Sequence, residues 1–271
     1  MSQFSADWLS LREPYDVRAR NRDVLDVLGA RFVSHGPIAI VDLASGTGAT
    51  SRAISSRLPH QQIWRLVDND PGLLALASSY ARGAGSDVVT ASIDIAREIG
   101  TALAGTVDLV TVSALLDLVS ADWLDRLATE IASRGLPAYA ALTYDGQVSF
   151  EPAEPYDATI IAAVNRHQRS DKGFGPALGP TAAFKAISCF RALGYAIVQG
   201  ASDWSLGHND TELQLALLDG WAAAANESGD VEPAEIGGWL RRRREHVASG
   251  RSSIRVGHVD FFARPDASAE R

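Results

Sequence analysis

Cysteine is nearly absent from this chain. Cys189 is the only one in 271 residues, which excludes an internal disulfide and a cysteine-rich metal site. The histidines, His35, His60, His167, His208, His246 and His258, are scattered. None stands at a spacing from carboxylates that resembles a metal site, so no metal is expected. No uninterrupted apolar stretch is long enough to cross a bilayer. The N-terminus, Met1-Ser2-Gln3-Phe4-Ser5-Ala6-Asp7-Trp8, lacks a basic region followed by an apolar core, so no secretory signal is expected. These absences lead to the expectation of a soluble cytoplasmic protein with no membrane partner. Positive charge is in the minority. Lys and Arg number 25 against 33 Asp and Glu, a net charge of −8 that argues against a general nucleic-acid surface, though not against a local basic pocket. No internal repeat and no low-complexity tract occurs.

What the chain does contain is an alternation. Apolar runs at 38–43, 62–68, 87–92, 107–112 and 138–144 read as strands, with helical patterns near 49–58, 71–82, 95–103 and 121–133 between them. Such alternation argues for a parallel sheet covered on both faces, with ligands at the carboxyl ends of its strands. Asp70-Pro71 reads as a helix start, Asp as N-cap and Pro in the first turn. Ser120 with Asp122 starts the helix that carries Trp123, Leu124, Leu127 and Ile131, and Arg134-Gly135 stops it. Beyond 145 the pattern changes. Phe150-Glu151-Pro152-Ala153-Glu154-Pro155-Tyr156 is proline-interrupted and is expected to form no regular element. A helix at 157–168, a loop at 172–180, a helix near 181–193 and a strand near 195–199 follow. Helices over 210–226 and 233–247 precede a last strand at 254–263.

The most informative stretch is Val41-Asp42-Leu43-Ala44-Ser45-Gly46-Thr47-Gly48. It reads as a strand end, a glycine turn and a helix start. The glycines let the backbone turn tightly and a ligand approach it, and the helix start offers free N–H groups. An acid at the position of Asp42 suits a nucleoside ligand with an ammonium group better than a bare pyrophosphate. Asp-x-Ala-x-Gly-x-Gly resembles the first motif of class I S-adenosylmethionine (SAM)-dependent methyltransferases, with Ala44 where the family's first glycine usually stands. The resemblance covers about residues 36–145 well and the rest more loosely. It implies a Rossmann-like, seven-stranded, mostly parallel sheet with helices on both faces and a final antiparallel strand. It also implies SAM as cofactor and S-adenosylhomocysteine as product.

The resemblance assigns cofactor roles residue by residue. Asp42, Ala44, Ser45, Gly46 and Gly48 form the turn against the ligand. Asp68, about twenty residues past the glycines, accepts from the ribose hydroxyls, with Asn69 at the adenine edge. Asp94 accepts from the exocyclic amine while Ile95 packs on the ring. Ser113, in the loop after the fourth strand, borders donor and acceptor, and Asp117 lies in the same loop. An N-terminal helix often folds over the cofactor in this family. Arg20, Arg12 and Tyr15 are therefore candidates for the methionine carboxylate or the acceptor. Each acid also has a duller reading as a helix cap or turn residue.

The segment from Asn165 to Gly175 packs Arg166, His167, Arg169, Lys172 and Phe174 into one span. Arginine forks a carboxylate or phosphate and phenylalanine stacks, so an anionic or heteroaromatic acceptor is expected there. Trp204 and His208 are further candidates for the acceptor pocket, as is Tyr144 at the end of the fifth strand. For a general base the order is His167, Asp117, His208. Arg241-Arg242-Arg243-Arg244 is read as a solvated helix end, because the side chains spread around a helix axis. The expectation is one domain over 1–271, with a helical cover at 1–35, a lid insertion at 150–180 and a helical insertion at 210–247. The expected reaction is methyl transfer to a small-molecule oxygen or nitrogen nucleophile, with no nucleic acid and a homodimer left open. Two alternatives remain: a non-catalytic SAM-binding regulator, and a nicotinamide-dependent oxidoreductase. The second fits less well, because its glycine fingerprint would place Ser51 at its third glycine and needs no acid at Asp42.

Overall fold

The apolar runs pair with one another, and the helices between them cover both faces of the resulting sheet. A computed structural model describes residues 5–83 and 88–266. The strands are β1 (Ile38–Leu43), β2 (Gln62–Asp68), β3 (Val88–Ser92), β4 (Leu109–Ser113), β5 (Ala138–Glu151), β6 (Tyr195–Ala201), β7 (Trp204–Leu206) and β8 (Ser253–Pro265). The helices are α1 (Ala6–Ala19), α2 (Arg22–Phe32), α3 (Ala49–Ile54), α4 (Pro71–Gly83), α5 (Ile99–Ala102), α6 (Ala121–Ser133), α7 (Asp157–His167), α8 (Ala182–Ala192), α9 (Thr211–Ser228) and α10 (Pro233–Ala248). The order is β3-β2-β1-β4-β5-β8-β6, with β7 on β8 off this path. β1 to β5 pair in parallel, and β8 runs antiparallel to β5, β6 and β7.

One apolar layer packs α6 and α8 on the sheet through Trp123, Leu127, Ile187 and Phe261. The opposite layer packs α2 on it through Val24, Leu28, Phe32, Tyr139 and Phe262. A third core joins α7, α9 and α10 to the far ends of β5, β7 and β8, with Phe150, Trp204, Trp221 and Trp239 at its centre. The caps form as their chemistry requires. Asp70 Oδ1 accepts from the Gly72 and Leu73 N–H groups, Ser120 Oγ from that of Trp123, and Gly135 turns out of α6 at φ 60°.

Several boundaries differ from the expectation. β5 does not stop at 144. It runs on to Glu151 because β8 pairs with Phe150 and Glu151, so only Pro152 onward leaves the sheet. Within it, irregular register between Ala140 and Thr143, and again between Tyr144 and Val148, absorbs the bend. β7 adds an eighth strand, too short to show a period in sequence. The helix expected over 95–103 shrinks to α5, since Asp94 Oδ1 accepts from the Ala96 N–H and turns the chain there. The arginine run is solvated only in part: Arg241 and Arg244 are exposed. Arg243 is fully buried and ion-paired with Asp157, while Arg241, Arg242 and Arg244 pair with Glu245, Glu154 and Asp219. Residues 1–4 of the expected cover and Asp87 of the expected third strand lie outside the described residues. No helix among the described residues is long and apolar enough to cross a membrane.

Candidate functional site

β1 pairs with β2 on one side and β4 on the other, so the strand order reverses there and a cleft opens at the carboxyl ends. Its floor is Ala44–Thr47 of the glycine turn, Asp68 to Asp70, Asp94 with Ile95, and Ser113 to Leu115. Its roof is one face of α1 and the residue after it: Leu9, Arg12, Asp16 and Arg20. Lys172 and Phe174 close one side. Two non-glycine residues with left-handed backbone, Ala44 (φ 52°) and Ala114 (φ 49°), sit at the ends of β1 and β4. Such strain is held where surrounding structure imposes it.

The roof lies close on the turn. A Cβ built on Gly46 would meet Leu9 Cδ1 at 3.1 Å, and φ there is 52°, so glycine serves both conformation and approach. Arg52 ties roof to turn. It donates to Glu13 Oε1 and Oε2 at 2.7 and 2.6 Å and to the Thr47 carbonyl at 2.6 Å. Asp68 braces the same turn, accepting from the Gly46 N–H at 2.8 Å and the Asp70 N–H at 3.0 Å, and still lines the cleft. Its cap role and its ligand-facing position coexist, because a carboxylate has lone pairs beyond those two bonds. Burial raises its carboxyl above the ordinary value.

Beside the glycine turn lies a group of buried ions. Asp42 is not in the cleft wall. Its side chain turns to its cross-strand partner on β4 and accepts from Thr111 Oγ1 at 2.7 Å. Burial pushes its carboxyl up to about 7, against the pull of Thr111 and Arg20. Gly48 also stays out of the lining. It starts α3 at φ 78°, where a Cβ would meet Leu66 Cδ1 at 3.1 Å. Arg20 donates to Tyr139 Oη at 3.2 Å and Ser113 Oγ at 3.3 Å. Tyr139 Oη in turn donates to Asp260, which also accepts from the Asn21 and Leu142 N–H groups. Three buried atoms here have no hydrogen-bond partner: Arg20 Nε, Asp42 Oδ2 and Ser45 Oγ.

The expected cofactor residues Ala44, Ser45, Gly46, Asp68, Asn69, Asp94, Ile95, Ser113 and Arg20 therefore converge on one cleft, and Arg12, Lys172 and Phe174 join them. Others do not reach it. His167 Nε2 meets Glu227 at 2.9 Å, because the last turn of α7 packs on α9. His208 is exposed in the loop before α9. Arg169 is exposed, its stem against Gly179. Tyr15 faces away, under the Arg18 guanidinium at 4.5 Å. Trp204 is buried behind the roof and donates to Asp16 at 3.0 Å, and Tyr144 is buried with its hydroxyl on Asn165 at 2.8 Å. Asp117 is buried beside lining residues Leu115 and Leu118. Burial pushes its carboxyl up to about 6 while the Arg12 guanidinium pulls it down. Sequence reasoning missed Leu9 and Asp16, although residues 9, 12, 16 and 20 repeat at helical spacing. It also missed His258, a buried imidazole on β8 whose pKa burial and Arg12 push down to about 3.

No family model matches the chain, and no curated protein matches it. Solved structures do. The YcgJ protein from Bacillus subtilis is 14% identical with a TM-score of 0.52, over 91% of this chain and 100% of that one. The cyclopropane synthase MmaA2 from Mycobacterium tuberculosis is 10% identical with a TM-score of 0.52, over 96% and 95%. A SAM-dependent methyltransferase from Thiobacillus denitrificans, in complex with S-adenosyl-L-homocysteine, is 16% identical with a TM-score of 0.49, over 97% and 99%. At these identities the likeness to the first two speaks to fold alone: the chain shares their Rossmann-like fold, a mostly parallel sheet with helices on both faces.

Proposed function

We propose that this chain, with that fold, is a SAM-dependent methyltransferase acting on a small-molecule oxygen or nitrogen nucleophile. One observation carries the reading. The polar atoms left unsatisfied beside the glycine turn are Arg20 Nε, Asp42 Oδ2 and Ser45 Oγ; Arg20 and Ser45 line the cleft, and Arg20 has no ion-pair partner among the described residues. Buried polar groups are ordinarily paired. The carboxylate at the amino-acid end of SAM answers the guanidinium of Arg20 from within the cleft. Asp68 then serves the ribose, Asn69 and Asp94 the adenine edge, and Ile95 with Phe174 the adenine faces. Phe174 thus belongs to the nucleoside end rather than to the acceptor.

When bound, SAM supplies a methyl group made electrophilic by its sulfonium. The protein's part is to align the acceptor, exclude water and hold the proton that is released. α1 and the 168–178 loop do the excluding. Of the expected bases Asp117 is the proton acceptor, because its loop carries the lining residues Leu115 and Leu118, while His167 and His208 lie away from the cleft. We read the chain as one domain, the lid segment of 150–180 and the helices of 210–247 being insertions that enclose the acceptor side.

Calorimetric titration with SAM, S-adenosylhomocysteine and NAD tests the assignment. Both sulfur nucleosides are expected to bind, and Asp68→Asn, which keeps one acceptor for the turn, to weaken them at least tenfold. Binding of NAD alone would move the chain to the oxidoreductases. Binding without methyl transfer to any extract component would favour a regulator.

A further inference from the structure

We propose that Lys172 holds a carboxylate of the methyl acceptor, and that the acceptor joins this single charge to an apolar body lying in the cleft. The inference rests on the donor reading above and names the class of molecule that the same cleft takes beside SAM.

Three cations line the cleft: Arg12, Arg20 and Lys172. Arg12 is paired, its Nε and Nη2 lying 2.9 and 3.2 Å from the Asp16 carboxylate. Arg20 is answered by the donor. Among the described residues Lys172 forms no ion pair, and its ammonium donates to the Ser170 hydroxyl at 2.9 Å. An ammonium carries three donors, so Lys172 has more to offer than that one bond takes. The side chain is half-buried, and its desolvation holds the pKa below the ordinary lysine value. A cation drawn partly out of water without a counter-ion is a place for an anion.

The loop fixes Lys172 at the cleft. Asp171 Oδ1 accepts from the Gly173 and Gly175 N–H groups at 2.7 and 3.0 Å. Ala177 bridges to Ser120, and the Leu178 N–H donates to the Val119 carbonyl at 2.8 Å. These bonds tie the loop to the segment after β4, whose Ser113, Leu115 and Leu118 line the same cleft. An acceptor held by Lys172 therefore shares one continuous space with the donor. The carboxylate whose charge reaches the ammonium is Glu227, at the end of α9 in the helical insertion. Glu227 is itself taken by His167 Nε2 at 2.9 Å. Arg166 is engaged by Asp230, and Arg169 is exposed. One open positive charge matches a singly charged carboxylate better than a phosphate, which carries up to two charges. Leu9, Leu115 and Leu118 add apolar wall to the cleft, so an acceptor with an apolar body also gains from burial.

The test is calorimetric titration of 2-naphthoate, 2-naphthamide and 2-naphthyl phosphate, each into the full chain saturated with S-adenosylhomocysteine. The carboxylate is expected to bind at least tenfold more tightly than its neutral amide, and more tightly than the phosphate ester. Lys172→Met is expected to remove the preference over the amide and Lys172→Arg to keep it, with S-adenosylhomocysteine affinity within twofold of the parent in both. Amide binding as tightly as carboxylate, or binding of neither, overturns the inference without any variant. Tighter binding of the phosphate ester overturns the carboxylate. A preference that survives in Lys172→Met overturns the role of Lys172, and so does a tenfold loss of S-adenosylhomocysteine affinity there, which would place the ammonium on the donor. Failure of the parent chain to bind S-adenosylhomocysteine overturns the donor reading and this inference with it.

Discussion

Two buried arginines show how differently the two ends of the molecule treat charge. Arg243 on α10 is fully buried. It donates to both Asp157 oxygens and to the Pro152 carbonyl at 2.7 Å, and lies 4.3 Å from the Phe150 ring. Arg20, 5% exposed, has two neutral hydroxyl partners, an unsatisfied Nε and no ion pair among the described residues. The helical insertion closes its buried arginine on a counter-ion. The carboxyl ends of β1 and β4 leave theirs open. A buried ion with its counter-ion explains itself as architecture, whereas one without calls for a ligand.

Arg243→Met should separate the two cases most sharply. It leaves the half-buried Asp157 with only the Trp239 indole and the Glu154 N–H as donors. The expected loss is about 3–5 kcal/mol of unfolding free energy, the usual consequence of breaking one side of a buried pair. Urea unfolding reads it. The protein that remains folded should bind S-adenosylhomocysteine within twofold of the parent. A loss under about 1 kcal/mol, the size of an ordinary surface change, would deny the pair its structural role.

Asp42 gives the opposite sign. Its carboxyl releases its proton at 3.8 when unfolded but holds it to about 7 when folded. The folded state therefore binds more protons in that window, and its stability falls as pH rises from about 4 to 7. Asp42→Asn removes the titration. Relative to the variant, the parent should lose up to ~4 kcal/mol between the two ends of the window, at 1.36 kcal/mol per pKa unit. Parallel stability–pH curves for the two proteins would contradict the assignment. Arg20→Met comes next: about a hundredfold weaker S-adenosylhomocysteine binding, ~2.7 kcal/mol, with unfolding free energy unchanged or raised. A destabilised variant with normal binding would make Arg20 a second Arg243.

The same contrast explains what could be read from sequence. The turn from Asp42 to Gly48, Asp68 and the caps at Asp70 and Ser120 are local: spacing along the chain decides them, and the structure brings Ala44, Ser45, Gly46 and Asp68 to one cleft. The strand pattern from β1 to β4 was legible for the same reason. Partners distant in sequence were not. His167 looked free because Glu227 lies sixty residues on, across the α7–α9 contact. Arg243 looked solvated because Asp157 belongs to another helix. The fifth strand was expected to end at Tyr144 because only its pairing with β8 carries it to Glu151. His258 had no signal at all, since register across β5 and β8 alone places it beside Tyr144.

The smallest predicted effect tests the loop that both readings share. Phe174 reaches the cleft beside Ile95 and meets Trp123 edge-on at 5.2 Å, and Trp123 Nε1 in turn donates to the Ile95 carbonyl at 2.8 Å. Arg169, five residues earlier in the same loop, points to solvent. If the loop serves the nucleoside, Phe174→Ala should weaken S-adenosylhomocysteine and adenosine alike by about tenfold, ~1.4 kcal/mol, and Arg169→Ala neither. Equal losses for the two nucleosides would locate the contact at adenine, because adenosine lacks the amino-acid end that Arg20 is proposed to hold. A loss in Arg169→Ala that Phe174→Ala does not share would add the loop's second cation to the capture of an anionic acceptor. Arg20 would then be one of two cation sites for ligands.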